Sequence, residues 1–289
     1  MKYDIVCLKV DYYVHDGGCN LELKPAELRR ISGFMKSHYG VDLSEKSTLI
    51  TGRLENKLNS RGIPSYDAFM DLVEKDPDGE EAHLLINSLT TNHTFFMRES
   101  IHFDFLKEVA LPEIKAKYSA TKDIRIWSAA ASSGEEAYSI VMTIKDFFGF
   151  EANQWDSKVL ATDISTKVIA AAKEGIYHPE QIASLPTRWI RQYFTKLPNG
   201  DYQAKKELRD EVIFNTFNLM DPFPWKKKFH VIFLRNVMIY FDEQTKRELI
   251  DKMYKYLEPG GYLFIGTTET IDKSATPLKH VQPSIYTKV

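Results

Sequence analysis

Two spacings of apolar residues divide this chain into two parts. Between residues 24 and 92 the apolar positions recur at intervals of three or four residues, as in Ile31, Phe34 and Met35. This spacing is typical of amphipathic helices that bury one face. Turns rich in glycine and proline separate the helical segments. The pattern therefore predicts an all-α helical domain of about four short helices over residues 21–90.

From about residue 124 the pattern changes to short apolar runs that alternate with helical segments. This alternation is typical of strands that a helical crossover brings back into one parallel sheet. It predicts an α/β domain over residues 91–289. The predicted strands cover residues 123–129, 157–163, 211–217, 229–235 and 261–267, with a last β segment near 281–288. The predicted helices lie near residues 134–148, 165–173 and 242–257.

Residues 175–210 interrupt this alternation. They contain a helix-like piece at 187–194 and the dipeptide Asn199-Gly200, which is a strong signal for a β-hairpin turn. We therefore predict a small β-subdomain inserted at this point. Residues 1–20 show no clear element, and we interpret them as an N-terminal extension.

The composition excludes several classes of protein. The 289 residues carry a formal net charge of -2, which provides no general attraction to nucleic acid or to a membrane surface. No apolar run reaches the ~20 residues of a membrane span, and the N-terminus does not resemble a signal peptide. The two cysteines, Cys7 and Cys19, make a disulfide framework improbable and favour a reducing cytoplasm.

The most informative segment is IWSAAASSGEEAYSI at residues 126–140, which predicts a strand, a turn of small residues and a helix. Small side chains at such a turn let the backbone approach a ligand closely. The fingerprint G-x-G-x-x-G of nicotinamide and flavin enzymes is missing. The two glutamates at the helix start would repel a pyrophosphate, and they suit a ligand with amine and hydroxyl donors and a positive centre. S-adenosylmethionine is such a ligand.

Polar residues follow the other predicted strands at their carboxyl ends, where open α/β sheets bind ligands. Asp163 is placed to accept ribose hydroxyls, although a helix N-cap is the alternative for this residue. Asn218 and Leu219 suit an adenine edge. The next strand ends in Arg235 and Asn236, followed by Tyr240.

A further polar segment, TNHTFFMRE at residues 91–99, lies where the helical and α/β parts meet. Asn92 and Thr94 offer hydrogen bonds, and Phe95 and Phe96 offer apolar walls. The plain alternative is a helix N-cap at Thr94 followed by a pair of core phenylalanines.

Together, TNHTFFMRE, IWSAAASSGEEAYSI, ATDIS, FNLMDPFP and FLRNVMIYFD resemble the CheR family of bacterial chemoreceptor glutamate methyltransferases. The resemblance implies a Rossmann-like class I methyltransferase domain with a small β-subdomain, preceded by an all-α domain. It implies methyl transfer from S-adenosylmethionine to receptor glutamates, which yields γ-methyl esters and S-adenosylhomocysteine. The partners would be the cytoplasmic helices of methyl-accepting chemoreceptors, and the enzyme is expected to be monomeric and cytoplasmic.

The resemblance also implies roles for particular residues. Arg98 and Tyr240 would lie near the transferred methyl group and serve as the catalytic residues. The cofactor would be bound by Asn92, Thr94, Arg98, Glu135, Asp163, Asn218, Leu219, Arg235 and Asn236.

Arg53, Lys57 and Arg61 recur at every fourth position of one predicted helix. By itself such a basic stripe is more typical of a solvated helix face. The resemblance implies instead that this face meets the acidic receptor helices, with Arg53 as the clearest match. Charge complementarity of that kind mainly affects encounter rate and salt sensitivity.

The proposed chemistry needs few catalytic groups. A glutamate side chain with a pKa near ~4.3 is ionised at neutral pH, so the nucleophile requires no general base. No set of histidines and cysteines has metal-ligand spacing, and we expect no metal. Some family members grip a receptor C-terminal peptide with the β-subdomain. The loop at residues 195–200 is short for that purpose, which favours an enzyme that works without such a tether.

Two other functions fit parts of the pattern. Methyltransferases that act on the amino groups of bases carry Asn/Asp-Pro-Pro-Tyr/Phe after the fourth strand, where this chain has Arg235-Asn236-Val237-Met238. The near-neutral charge also disfavours nucleic acid. A non-catalytic receptor adaptor is the second alternative. The presence of all the polar residues expected at the site argues against it, namely Asn92, Arg98, Asp163, Asn236 and Tyr240.

Overall fold

The computed structural model describes residues 21–272 and 276–289, so the N-terminal extension and both cysteines lie outside the described residues. Four helices form the N-terminal part, and their apolar faces, including Ile31, Leu54 and Phe69, pack into one buried cluster. This arrangement confirms the predicted all-α bundle. The helices are α1 Pro25–Tyr39, α2 Ser47–Ser60, α3 Tyr66–Lys75 and α4 Glu80–Leu89.

A long helical segment that the pattern did not single out connects the bundle to the sheet. It consists of α5 Ile101–Phe105, a wider π-helical turn at Leu106–Ala110, and α6 Leu111–Lys117. Its buried side chains pack on the sheet, as shown by the rings of Phe103 and Phe233, whose centroids lie 6.0 Å apart.

The C-terminal part alternates strands and helices, as predicted. The strands are β1 Ile126–Ser128, β2 Val159–Asp163, β3 Ile176–Tyr177, β4 Phe194–Lys196, β5 Tyr202–Ala204, β6 Val212–Thr216, β7 Phe229–Leu234, β8 Leu257–Ile265, β9 Lys279–Gln282 and β10 Ile285–Thr287. The helices are α7 Glu135–Phe148, α8 Thr166–Glu174, α9 Pro179–Ile182, α10 Thr187–Tyr193, α11 Lys206–Arg209 and α12 Glu243–Tyr256, and short 3₁₀ turns lie at Gly149–Gln154 and Met238–Tyr240.

Seven of these strands form the main sheet in the order β6-β2-β1-β7-β8-β10-β9. The first five are parallel to one another, but β10 is antiparallel to both β8 and β9. The predicted parallel sheet therefore consists of these first five strands, and the β segment predicted near 281–288 is a hairpin of two strands, β9 and β10, at the antiparallel edge. Strands joined by a tight turn must run antiparallel, because only a crossover connection returns the chain in the same direction.

The β-subdomain predicted at residues 175–210 contains a separate antiparallel sheet in the order β3-β5-β4. The sheet packs on the segment before α5 through Phe96, whose ring centroid lies 4.8 Å from that of Tyr177 and 5.6 Å from that of Phe194. The short strand β3 had no counterpart in the sequence prediction.

The helical bundle lies against the carboxyl edge of the parallel strands. Asn218 donates from Nδ2 to the carbonyl of His38 at 2.8 Å, and the backbone N of Asp42 lies 3.1 Å from the carbonyl of Tyr240. The Nζ of Lys36 also lies 2.8 Å from the Asp242 carboxylate. Through these contacts the bundle covers the space at the carboxyl ends of the parallel strands. Within the described ranges, no helix is long and apolar enough to cross a membrane.

Candidate active site

A cavity lies between the bundle and the carboxyl edge of the sheet. Its empty volume is about 1060 Å³, including the part open to solvent. Helix α1 and the segment after it supply Met35, Tyr39 and Val41, while loops after β1, β2, β6 and β7 supply most of the polar lining. A cleft with convergent polar groups and apolar walls is typical of a small-molecule site.

Nearly all the residues predicted to bind the cofactor line this cavity, and so does Tyr240. The lining includes Asn92, Thr94, Arg98, Asp163, Asn218, Leu219, Arg235, Asn236 and Tyr240. Glu135 is the exception. Its side chain is buried beside the cavity, where it accepts hydrogen bonds from Ser133 Oγ at 2.7 Å and Gln181 Nε2 at 3.3 Å. Burial raises the pKa of this carboxyl group.

The neighbouring Glu136 lines the cavity instead. Its Oε1 accepts from Ser128 Oγ at 2.7 Å, and its Oε2 lies 2.7 Å from Nη1 of Arg235. Adjacent helical residues point in directions about 100° apart, so the two glutamates cannot both face the ligand. The sequence pattern could not choose between them, because α7 is buried on almost every side and has no clear amphipathic face.

Asp163 ends β2 with its carboxylate almost fully buried. Oδ2 accepts from the backbone N of Ser132 at 2.9 Å, and Oδ1 accepts from the backbone N of Ser165 at 2.9 Å. Burial raises the pKa of Asp163, although the backbone donors oppose this rise. The N-cap of α8 is Ser165, whose side chain accepts from Val168 N, so the N-cap interpretation of Asp163 was wrong. Each carboxylate oxygen keeps a lone pair for a ligand hydroxyl.

The segment 91–99 enters the cavity without forming a helix, so the N-cap at Thr94 was also wrong. Its two phenylalanines separate: Phe96 is a core residue, whereas Phe95 is 43% exposed and lines the cavity. Arg98 donates from Nη1 to the carbonyl of His93 at 2.7 Å, and its guanidinium lies 5.9 Å from the centroid of the Phe95 ring.

Arg235 organises the buried end of the site. Its side chain is only 2% exposed, and its guanidinium lies 2.7 Å from Glu136 and 3.1 Å from Glu99. It also donates to the backbone carbonyl of Arg98. These hydrogen bonds to two carboxylates and a carbonyl fix the orientation of the Arg235 guanidinium at the cavity wall.

Glu269 is a buried residue that the sequence reasoning missed. Its carboxylate accepts from the backbone N of Asn236 at 2.9 Å, of Met238 at 2.7 Å and of Gly266 at 2.6 Å. These bonds hold the turn from Asn236 to Tyr240 in place. A Cβ at position 266 would lie 2.5 Å from Asn236 Nδ2, so this close approach requires glycine. Because the contacts of Glu269 with Asn236 and Met238 join segments distant in sequence, no local pattern signals them.

The turn at Asn218 and Leu219 is braced from two directions. Asn218 accepts at Oδ1 from the backbone N of Met220 at 3.0 Å, and Lys252 Nζ donates to the carbonyls of Leu219 at 3.2 Å and Met220 at 2.7 Å. Leu219 is buried and presents an apolar surface to the cavity beside Phe217.

The predicted basic stripe on α2 has partners within the chain. Arg53 donates to the carbonyls of Ser88 at 3.2 Å and Thr90 at 2.9 Å, and Lys57 donates to Ser88 Oγ at 2.6 Å. These cations therefore bind the carboxyl end of α4, where the helix dipole favours positive charge. Arg61, further along α2, forms ion pairs with Glu80 at 2.8 Å and Glu81 at 3.2 Å.

The sequence matches two models of one protein family. Residues 26–90 match "CheR methyltransferase, all-alpha domain", and residues 92–287 match "CheR methyltransferase, SAM binding domain". The chain belongs to the CheR methyltransferase family. Relatives of similar length support this. The chain is 40% identical to the chemotaxis protein methyltransferase of Borreliella burgdorferi over 93% of this chain and 96% of that protein. It is 37% identical to the chemotaxis protein methyltransferase of Escherichia coli over 86% of each chain.

Family membership makes the chain a methyltransferase of chemotaxis that uses S-adenosylmethionine (SAM). The lining fits this cofactor. The Asp163 carboxylate suits the ribose hydroxyls, and Ile164, Phe217 and Leu219 offer an apolar surface for adenine. Glu136 supplies negative charge for the cationic end. Between residues 21 and 272 and from 276 to 289, no group of three or more His, Cys, Asp and Glu could hold a metal ion.

Proposed function

We propose that the enzyme transfers the methyl group of SAM to side-chain carboxylates of glutamates on the cytoplasmic helices of chemoreceptors. The products are glutamate γ-methyl esters and S-adenosylhomocysteine. The observation that carries this proposal is that Arg98 and Tyr240 line one cavity together with Asp163 and Glu136. A cation and a hydroxyl for an acidic substrate thus lie in the same cleft as acceptors for the cofactor. The names of the chemotaxis relatives agree with such a substrate.

In this proposal the bound cofactor supplies an electrophilic methyl group, and the protein aligns the attacking carboxylate with it. The carboxylate is already ionised, so the site needs no general base. Arg98 has five N–H donors and uses Nη1 for the His93 carbonyl, which leaves donors to orient the glutamate. The Tyr240 hydroxyl positions the reacting groups from the other side. Alignment and exclusion of water account for most of the rate enhancement.

The cofactor is held by residues from five segments of the chain. Asp163 accepts the ribose hydroxyls, Asn218 and Leu219 meet the adenine, and Glu136 takes the place first assigned to Glu135. Asn92 and Thr94 close the cavity on the side of the bundle, while Arg235 and Asn236 form its floor.

The receptor would meet the surface around α2. Burial lowers the pKa of Lys57, and the nearby charges of Lys167 and Arg53 lower it further, so three cations lie close together. This basic surface complements acidic receptor helices and would increase the rate of encounter. It spans the bundle and α8, so both parts of the chain would contact the receptor. We propose that the enzyme acts as a cytoplasmic monomer, without nucleic acid.

A methylation assay tests this function. The enzyme is incubated with a receptor cytoplasmic fragment and SAM that carries a labelled methyl group, and the product is treated with base. Volatile methanol is the expected product, because carboxyl esters hydrolyse in base. Label that survives base would mean N- or S-methylation and would overturn the proposal. Asp163→Ala should abolish cofactor binding and labelling together, which separates enzymatic transfer from chemical background. Cofactor binding without transfer to any receptor fragment would favour an adaptor.

A further inference from the structure

Glu99 is a largely buried carboxylate behind the wall of the cavity, and no role follows for it from the motifs above. Its side chain is 14% exposed. Oε2 accepts from Arg235 Nη2 at 3.1 Å and from the backbone N of Thr267 at 3.1 Å. Oε1 accepts from Nδ2 of Asn236 at 3.2 Å. Glu99 therefore connects the segment that carries Arg98 to the ends of β7 and β8.

This carboxylate is an acceptor only. Burial works against its ionised form, but the charge of Arg235 and the donors of Asn236 and Thr267 hold the pKa of Glu99 below its ordinary value. An ionised carboxylate has no hydrogen to donate. The side-chain amide of Asn236 must therefore turn its NH₂ group towards Glu99. Its carbonyl oxygen Oδ1 consequently points away from Glu99.

We propose that Glu99 is a positioning residue that fixes the Asn236 amide so that Oδ1 is an acceptor for the positively charged end of the cofactor. Asn236 lines the cavity, whereas Glu99 acts behind it. The inference rests on the proposed function for the placement of the cofactor beside Asn236. It goes beyond that function by assigning a residue that controls which atom of Asn236 the cofactor meets.

The backbone on either side of Arg98 adopts an unfavourable conformation. Met97 and Glu99 both have φ of 57°, a left-handed conformation that residues other than glycine rarely adopt. Asn236 has φ of 55°. Such positions persist only where surrounding contacts stabilise them, and they cluster at functional sites. The hydrogen bond from Asn236 Nδ2 to Glu99 Oε1 joins two of these strained positions directly.

A charge exchange between the two residues provides the test. In Glu99→Gln, the donors of Arg235 and Thr267 require the oxygen Oε1 of the glutamine, so its NH₂ group faces Asn236. The Asn236 amide then rotates, so that its Oδ1 faces the glutamine and its NH₂ group faces the cavity. In Asn236→Asp, two carboxylates meet and repel each other. In the double variant, the glutamine NH₂ donates to the new aspartate, whose second oxygen faces the cavity again. An acceptor is thereby restored.

The measurement is SAM affinity by calorimetry, with the thermal unfolding midpoint as the control for folding. Each single variant should weaken binding by about tenfold, the effect of one misplaced charge-assisted hydrogen bond, and the double variant should recover most of the loss. Glu108→Gln, on the exposed face of the helical segment that follows Glu99, should change nothing. Losses that simply add in the double variant would overturn the inference.

A second pair of variants keeps the test decisive if Asn236→Asp folds poorly. In an Asn236→Ala background, Glu99→Gln should cause no further loss of SAM affinity, because Glu99 acts through the amide that has been removed. A further tenfold loss would contradict this positioning role. Calorimetry with SAM requires no receptor. Failure of this inference therefore leaves the methanol assay unaffected, and failure of that assay leaves this result standing.

Discussion

The guanidinium Nη1 of Arg235 lies 2.7 Å from Oε2 of Glu136. This pair connects the end of β7 to the first turn of α7, which follows β1, the strand that lies beside β7 in the sheet and is distant from it in sequence. Of the two glutamates that begin α7, the one paired with Arg235 is therefore the one presented to the cavity. The other, Glu135, lies beside Gln181 of the inserted subdomain.

We expect Glu136→Gln to weaken SAM binding by about tenfold or more, because it removes negative charge from the cavity and one of two carboxylates from Arg235. Glu135→Gln is the comparison. It replaces a buried group whose pKa is already raised, so its effect on SAM affinity should be much smaller. Calorimetric titration with SAM measures both variants. A larger loss for Glu135→Gln would return the cofactor role to that residue.

Charge reversal at two positions of the basic surface of α2 should have different effects on methylation rate and stability. Lys57→Glu should slow receptor methylation at low ionic strength, with a smaller effect at high salt and unchanged SAM affinity. Arg53→Glu should slow it too, and should also destabilise the fold by roughly 1–2 kcal/mol, because the carbonyls of Ser88 and Thr90 lose their donor. Initial rates at two salt concentrations and thermal unfolding separate these effects.

Lys75→Glu is the matched control for this experiment, since Lys75 is an exposed lysine on α3. It should leave the rate nearly unchanged. An equal loss of rate for Lys75→Glu would mean that net charge matters and that the α2 surface has no special part. A loss of SAM affinity in Lys57→Glu would place that residue with the cofactor.

His102 should contribute to acid sensitivity. Burial and the nearby charge of Arg235 lower the pKa of this histidine from its ordinary value of 6.5 to about 4. The unfolded chain thus binds a proton that the folded protein excludes, so stability is lost as pH falls from 6.5 towards 4, by up to about 3 kcal/mol. His102→Phe keeps the ring beside Phe264 and removes this titration.

Denaturant unfolding at several pH values between 4 and 7 measures the effect. The decline in free energy of unfolding with falling pH should be shallower in His102→Phe than in the unchanged protein. His280→Gln, at an exposed position, should retain the full decline. A parallel decline in His102→Phe would show that other groups account for the acid sensitivity.

The turn between β4 and β5 bears on whether a receptor C-terminal peptide tethers the enzyme through its β-subdomain. The backbone N of Leu197 donates to the carbonyl of Asp201 at 2.7 Å, and that of Gly200 donates to the carbonyl of Leu197 at 3.0 Å. So tight a turn leaves no long loop to close over an added peptide strand. A receptor fragment without its C-terminal peptide should therefore be methylated with an unchanged KM. A large increase in KM on its removal would establish a tether.

Most elements could be predicted because their signals are local. The bundle follows from helical spacing, and β1, β2, β6 and β7 follow from short buried runs bounded by turns. The antiparallel hairpin β9–β10 was missed as a hairpin because its two strands are very short and β9 is largely exposed, so it has no buried apolar run. The helical segment from Ile101 to Lys117 was missed, although its buried residues Phe103, Leu106, Ala110 and Ile114 recur at helical spacing in the sequence.

The sequence alone determined the elements, their order and the polar residues that follow each strand, because spacing and turn chemistry act over a few residues. Parallel strands then bring those residues to one edge of the sheet, which is why the sequence alone predicts that Asp163, Asn218 and Asn236 lie together. Only the tertiary structure decided that Glu136 faces the cavity, that Arg53 caps α4, and that Glu99 and Glu269 hold the site from behind. These roles depend on contacts between segments far apart in the chain, and such contacts leave no periodic signal in the sequence.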